Sequence, residues 1–389
     1  MKRVIWIVLD SVGIGHMPDY EYYHDEKSNT LKNVCSMANI KLKNLQKLGI
    51  GNIDGVDCIE PNDAHTSAIM RAGFKNIGKD TITGHWEMAG VILEEPFKTY
   101  KNGFDMKLLD ELSKKISRKI LGNKVASGTA IINELGQEAI KAGAIIVYTS
   151  ADSVFQIAAH EDVVPLEELY SICKTAREML VGDNNVARVI ARPFSGSAGK
   201  FVRTANRKDF AIKPPVKTAL EILAQNNVGV YSVGKIYDIF LGAGIKDSVH
   251  TNGNTDGEDH IISYMNSVNE DALIYANLVD FDMKYGHRND VKGYADALVQ
   301  FDTRLPDIMN IMRDEDILVI CADHGCDPTT KSTDHSREYV PVIIYGQAVK
   351  PANLGTIDTI SNLGATVCDY LCGAKTVYGE SFLYKIIKT

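Results

Sequence analysis

Short apolar runs recur along the chain, with stretches of helical spacing between them. "VIWIVL" (4–9), "AIIVY" (144–148), "VARVIA" (186–191), "VGVYSV" (228–233), "ALIYANLV" (272–279), "ILVIC" (317–321) and "VPVIIY" (340–345) read as buried strands. In "DMKLLDELSKKISRKIL", Met106, Leu109, Leu112, Ile116 and Ile120 fall three or four apart, which predicts one helix across the stretch. "PLEELYSICKTAREML" repeats that pattern, with Pro165 in a first-turn position. Alternating elements of these two kinds predict an α/β protein on a mostly parallel sheet flanked by helices. Pro214-Pro215, ahead of a helical pattern, is a candidate domain boundary. No internal repeat or low-complexity segment interrupts the pattern.

Length and charge narrow the class. A chain of 389 residues is too long for one simple core, so two domains are expected. The net charge of −8 argues against a nucleic-acid binder, which would carry a basic face. It leaves room for a small phosphorylated substrate, because a local basic cluster or a metal reverses the field inside a cleft. The cysteines, 7 in number, form no C-x-x-C pair, so a reducing compartment is expected rather than a disulfide framework. "MKRVIWIVLD" imitates a signal peptide until Asp10 ends its apolar run, and no segment reaches the roughly 18 apolar residues of a membrane span. A cytoplasmic protein follows as the expectation, with no membrane or nucleic-acid association and no obligatory protein partner.

Three of the predicted strands finish on carboxylates. Asp10 follows the first; Asp280 and Asp282 follow "ALIYANLV", with His287 beyond; Asp323 and His324 follow "ILVIC", with His335 in the polar loop after them. Ligands of open parallel sheets bind outside the carboxyl ends of the strands, so these residues converge if the strands are neighbours. A single aspartate at such an end is ordinarily a cap or turn residue. Asp10, Asp282, Asp323, His287, His324 and His335 together exceed the ligand set of one catalytic zinc and suit two divalent ions roughly 3.5–4 Å apart. Mixed carboxylate and imidazole donors favour Mn, Zn or Fe over Mg or Ca. Cys321 and Cys326 flank Asp323 and read as small buried residues rather than ligands.

Two phosphate-loop patterns fail. "GFKNIGKDT" (73–81) has Asp80 where a Walker A loop needs Ser or Thr, and no clear strand precedes it. "VLDSVGIGHMP" has Pro18 in place of a third glycine, so its glycines are expected to let backbone pass close to the site. "GKDTITGHWEMAG" (78–90) supports two readings: Thr81 or Thr83 as a metal-activated nucleophile, or a helix start capped by Thr83 with Glu87 nearby.

"VLDSVGIG", "GKDTITGHWE", "YTSADSVFQIAAHE", "RVIARPF", "NLVDFDMKYGHR", "ADHGCDP" and "TDHSREYVP" resemble the bacterial phosphopentomutases of the alkaline phosphatase superfamily, from about residue 4 to "YGESFL". Cys321 and Cys326 depart from the Thr and Asn commoner beside the Asp-His pair. The resemblance implies a discontinuous alkaline-phosphatase-like core, about 1–97 and 215–389, interrupted by an inserted α/β cap, about 98–214. It implies Thr81 as the residue that carries the phosphoryl group. Asp10, Asp323 and His324 would hold one manganese, and Asp282, His287 and His335 the other. Ser150 and Asp152 would bind sugar hydroxyls, and Arg188, Arg203 and Lys235 phosphate, while Arg192, His85, His160 and Trp86 receive no role. The implied substrate is a pentose phosphate, ribose or 2-deoxyribose, with a sugar 1,6-bisphosphate as activator. Two rivals stand beside this expectation: a metal-dependent phosphomonoesterase and a non-catalytic phosphosugar or metal sensor.

Overall fold

The computed structural model describes residues 1–95, 97–150 and 153–388. They form two compact units, one of Met1–Glu94 with Pro214–Thr389 and one of Glu95–Lys213. Strands of the first segment are β1 (Arg3–Leu9) and β2 (Ala68–Ala72). The second unit holds β3 (Ile120–Val125), β4 (Ile145–Thr149), β5 (Val154–His160), β6 (Arg188–Ser195), β7 (Val202–Arg203) and β8 (Lys208–Ala211). The first unit resumes with β9 (Gly229–Val233), β10 (Asp247–Val249), β11 (Ala272–Leu278), β12 (Asp316–Cys321), β13 (Val340–Tyr345) and β14 (Ala352–Ile357).

The first unit is one sheet in the order β10-β9-β11-β1-β12-β13-β2-β14. β10, β9, β11, β1 and β12 run parallel, and β13 pairs antiparallel with both β12 and β2. β1, β11 and β12 are buried along their whole length, which is why they are continuous apolar runs rather than alternating ones. Val8 aligns with Asn277 on one side and Cys321 on the other, so three adjacent strands end level and their next residues emerge on one edge.

The second unit is a sheet in the order β3-β4-β5-β6-β7, with β8 also on β6. One face packs on Leu108, Leu109 and Leu112 of the helix Met106–Ile116 and on Leu169, Ile172 and Cys173 of the helix Leu166–Met179. The other packs on Ile131, Ile132 and Ala139 of the helix Gly128–Ala142. Two local expectations are corrected. The predicted helix from residue 105 to 121 ends at Ile116, where Ser117 turns left-handed at φ 51°, and Ile120 opens β3 instead. Pro165 precedes the first turn of its helix as the cap. Among the described residues, no helix is long and apolar enough to cross a membrane.

Candidate active site and metal centre

Each strand exit is shaped to aim its acid. After β1, Asp10 is followed by Ser11 at φ 72°, a left-handed conformation unusual for a non-glycine residue and often found where a site dictates the backbone. That turn points the Ser11 N–H at Asp323 Oδ1, 3.0 Å away, and brings the Ser11 hydroxyl to 3.1 Å from the Tyr294 hydroxyl. After β11 the chain makes a π-turn, Phe281–Tyr285, and a 3-10 turn, Gly286–Arg288, which together carry Asp282 and His287. Glu338, buried, accepts from the Gly15 and Thr30 N–H groups and from the Ser336 hydroxyl, and so braces the loop that bears His335. A Cβ on Gly13 would lie 2.4 Å from the Glu338 carboxylate, so the glycine there does permit close approach.

The six predicted ligands meet. His324 Nε2 is 3.3 Å from Asp10 Oδ1 and 3.3 Å from Asp323 Oδ2. His287 Nε2 is 3.2 Å from Asp282 Oδ2, and His335 Nε2 is 3.4 Å from Asp282 Oδ1. The His324 and His335 rings stand 4.2 Å apart, centre to centre, which joins the two trios. Asp10, Asp323 and His324 present ligand atoms within 4.8 Å of one another; so do Asp282, His324 and His335, and so do Asp282, His287 and Cys326. The Nδ1 atoms of His287 and His324 face the Thr333 and Gly325 carbonyl oxygens at 2.7 and 3.1 Å, which fixes Nε2 as the free ligand atom.

The electrostatics state what is missing. Burial, followed by the Asp323 and Asp282 carboxylates, pushes Asp10 up. Burial pulls His324 down, but Asp323, Asp10 and Asp282 outweigh it and hold the imidazole up to about 10. Asp282 is held well below the usual range, burial notwithstanding, by His287 and His335. Asp10 Oδ1, Asp282 Oδ1, Asp323 Oδ2 and His335 Nε2 are buried without a hydrogen-bond partner. Orphaned acid oxygens and an imidazole nitrogen converging at one edge of the sheet fit divalent cations, which would displace the protons.

Thr81 opens the helix Thr81–Met88, and its Oγ1 lies 3.1 Å from His324 Nε2. The cap of that helix is Asp80, which accepts from the Ile82 and Thr83 N–H groups while Thr83 reciprocates as the third residue of a capping box. Thr83 is thus not the cap, and its hydroxyl donates to Asp80 Oδ2 at 2.9 Å. Glu87, expected near the helix start, is buried and accepts from the Lys75 and Asn76 N–H groups and the Thr359 hydroxyl. β2 does precede residues 73–81, contrary to expectation, although Asp80 still excludes a phosphate loop. The helix lies close on the end of β12: a Cβ on Gly84 would sit 2.2 Å from the Asp323 carbonyl oxygen.

The predicted substrate residues are divided. Lys235 belongs to the first unit, half-buried beyond β9 at the start of the helix Ile236–Phe240. Ser150 follows β4, Arg188 opens β6 and Arg203 ends β7, all in the second unit. Arg188 Nη1 is 3.5 Å from Asp209 Oδ2, and Arg192 donates to Gln156 Oε1 at 3.0 Å. Burial, then the neighbouring Arg207 and Arg203, pushes Arg192 down, so this sheet gathers positive charge. Asp152 lies outside the described residues.

Sequence reasoning missed several supports. Lys79 Nζ spans Asp25 (2.5 Å) and Asp334 (3.2 Å), tying the Thr81 loop to the His335 loop. Arg337, buried, donates to the Asn76, Gly78 and Phe74 carbonyls and does the same. Proximity of Lys79 to Thr81 and of Arg337 to His335 in sequence was the available signal.

Comparison with known proteins gives this site a family. The metalloenzyme superfamily profile matches residues 2–375. The phosphopentomutase of Clostridioides difficile strain 630 is 54% identical over 386 residues, 98% of this chain and 99% of its own. That of Caldanaerobacter subterraneus is 54% identical over 387 residues, 99% of this chain and 98% of its own. That of Clostridium acetobutylicum is 53% identical over 390 residues, 100% of each. With candidate metal-binding clusters in place and half its residues shared over nearly the whole length, the chain belongs to the phosphopentomutases, divalent-metal enzymes of the metalloenzyme superfamily.

Proposed function

We propose that the chain interconverts ribose 1-phosphate and ribose 5-phosphate, and the 2-deoxyribose equivalents, in nucleoside catabolism and salvage. The observation that carries this reading is the Thr81 hydroxyl, 3.1 Å from His324 beside the Asp10–Asp323–His324 trio. Divalent ions, manganese in this reading, held by that trio and by Asp282, His287 and His335, would offset charge on the phosphoryl oxygens and favour the Thr81 alkoxide.

Phosphothreonine-81 gives its phosphoryl group to the free hydroxyl of a bound pentose monophosphate. The Thr81 Oγ–P bond breaks as a sugar O–P bond forms, and the proton lost by the sugar hydroxyl balances the one the freed Thr81 oxygen takes up, to be returned in the second transfer. The resulting 1,5-bisphosphate returns its other phosphoryl group to Thr81, and the isomer departs. Residues 1–97 and 215–389 supply this chemistry. Residues 98–214 act as the cap that recognises substrate and excludes water, with Ser150 and Asp152 on sugar hydroxyls and Arg188 and Arg203 on phosphate. Lys235, from the core, adds a third cationic phosphate contact. A sugar 1,6-bisphosphate primes Thr81. The enzyme works in the cytoplasm.

The test is mass spectrometry of protein incubated with ribose 5-phosphate, with product analysis alongside. Phosphate on Thr81 and ribose 1-phosphate in solution are expected; Thr81→Ala should lose on the order of 10⁴-fold or more in turnover. Release of inorganic phosphate without isomer would make the protein a phosphomonoesterase. Full turnover by Thr81→Ala would overturn the mechanism.

A further inference from the structure

His85 and Asn277 are wholly buried, and the chemistry above uses neither. His85 stands one turn beyond Thr81 on the same helix. Its Nδ1 is 2.9 Å from the Thr81 carbonyl oxygen and 3.2 Å from Asp323 Oδ2. Across the ring, its Nε2 is 3.4 Å from Asn277 Nδ2, and that same amide nitrogen donates to Asp10 Oδ2 at 3.0 Å. Asn277 is the next-to-last residue of β11, in register with Val8 of β1.

The proton positions follow from the neighbours. Nδ1 faces two acceptors, a carbonyl and a carboxylate, so it must bear the hydrogen, and Nε2 is then the bare acceptor. Asn277 must turn its NH2 towards Asp10, because its carbonyl oxygen there would meet a carboxylate. That orientation leaves Asn277 Oδ1 buried without a partner, a penalty tolerated only where something else fixes the amide. Each link therefore has one satisfactory arrangement. The chain of contacts runs from the nucleophile's own carbonyl, through one imidazole and one amide, to both acids of a single trio.

We propose that His85 and Asn277 are positioning residues that lock Asp323 and Asp10 as ligands of the ion beside Thr81, and so tie that ion's geometry to the helix bearing the nucleophile. Outer contacts of this kind, here the Asn277 hydrogen bond to Asp10 and the 3.2 Å approach of His85 Nδ1 to Asp323 Oδ2, orient a carboxylate before the metal arrives, and losing one lowers affinity about 10–100-fold. The relay touches Asp10 and Asp323 and none of Asp282, His287 and His335, so its effect is selective for one of two ions. It rests on the reading of Asp10, Asp323 and His324 as metal ligands.

The experiment is titration of Mn²⁺ into metal-stripped, full-length protein, following bound and free ion and fitting two dissociation constants. Asn277→Leu, close in volume, should weaken one constant by about 10–100-fold and leave the other within about twofold. His85→Asn keeps a donor near the Nδ1 position but cannot reach Asn277, and should weaken the same constant by less than His85→Ala. Apo-protein melting temperatures control for folding. Unchanged constants in Asn277→Leu and His85→Asn would overturn the relay while leaving the ligand assignment intact. Equal weakening of both constants, with a lowered apo melting temperature, would also overturn it, as generalised damage. If the unaltered protein bound no Mn²⁺, the metal-ligand reading itself would fall.

Discussion

β11, β1 and β12 bury charge at both of their ends, and the two ends treat it differently. At the start, Arg3 and Asp316 lie in register on β1 and β12 and are fully buried. They pair bidentately, Nε to Oδ1 at 2.9 Å and Nη2 to Oδ2 at 2.5 Å, and Arg3 also donates to the Met265 and Val268 carbonyls. At the finish, Asp10, Asp282 and Asp323 are as deeply buried, but four acid and imidazole atoms there have no hydrogen-bond partner. The same strands thus carry a closed account of charge at one end and an open one at the other. Buried charge neutralised within the chain is structural; buried charge in excess marks a ligand site or sheds its charge by protonation.

The largest effect that sharpens this contrast belongs to the open end. Asp10→Asn removes one of three mutually repelling carboxylates, so the metal-free protein should gain about 1–2 kcal/mol in urea unfolding. Turnover should fall at least about 10³-fold, with bound metal lost alongside. A metal-free variant less stable than its parent would show that the cluster is already satisfied without ions, and the contrast would fail.

At the closed end the signs reverse. Asp316→Ala strands a buried guanidinium and should cost about 3–5 kcal/mol, with metal affinity unchanged in the folded fraction. Arg3→Met combined with Asp316→Leu should recover most of that loss, because the pair contributes little beyond its own neutrality. Urea midpoints of the single and double variants decide this. A double variant as unstable as the single one would mean the ion pair is itself a source of stability.

The open end was legible in the sequence because fully buried parallel strands are unbroken apolar runs, and a run that stops on aspartate marks its own exit. Asp10 and Asp323 could be placed on that ground alone. Asp280, in the same motif as Asp282, could not be separated from it; in the structure its Oδ2 accepts from the Asn254 N–H and from Lys284 Nζ. Ser11 was invisible because its role is a backbone angle. Asn277 was hidden inside "ALIYANLV", where one polar residue does not disturb a strand pattern. Ile120 satisfied the helical spacing yet opens β3, since pairing with Ile145 of β4 overrides local periodicity. Short edge strands such as β7 and β8 are exposed or half-exposed and owe their existence to β6, so no local pattern announces them.

Glu258 offers the smallest and sharpest test, because it is a buried acid at neither end. It lies in the helix Asn254–Ser267, 1% exposed, with both carboxylate oxygens lacking a hydrogen-bond partner and Arg304 Nε 3.8 Å away. Among the described residues it joins no group of three such donors, unlike Asp10, Asp282 and Asp323. Burial pushes it up to about 7 against the pull of Arg304, and the group meets its burial by taking a proton. Its folded value lies above the ordinary 4.5, so the stability of the protonated form is complete below about pH 4.5 and is lost as pH rises towards 7. Glu258→Gln imitates that protonated form permanently. It should leave stability nearly unchanged at pH 5 and raise it by about 1–3 kcal/mol at pH 8, read from urea midpoints at the two pH values. A loss at pH 8 would instead show an ionised Glu258 paired with Arg304, and would move it into the class of Arg3 and Asp316.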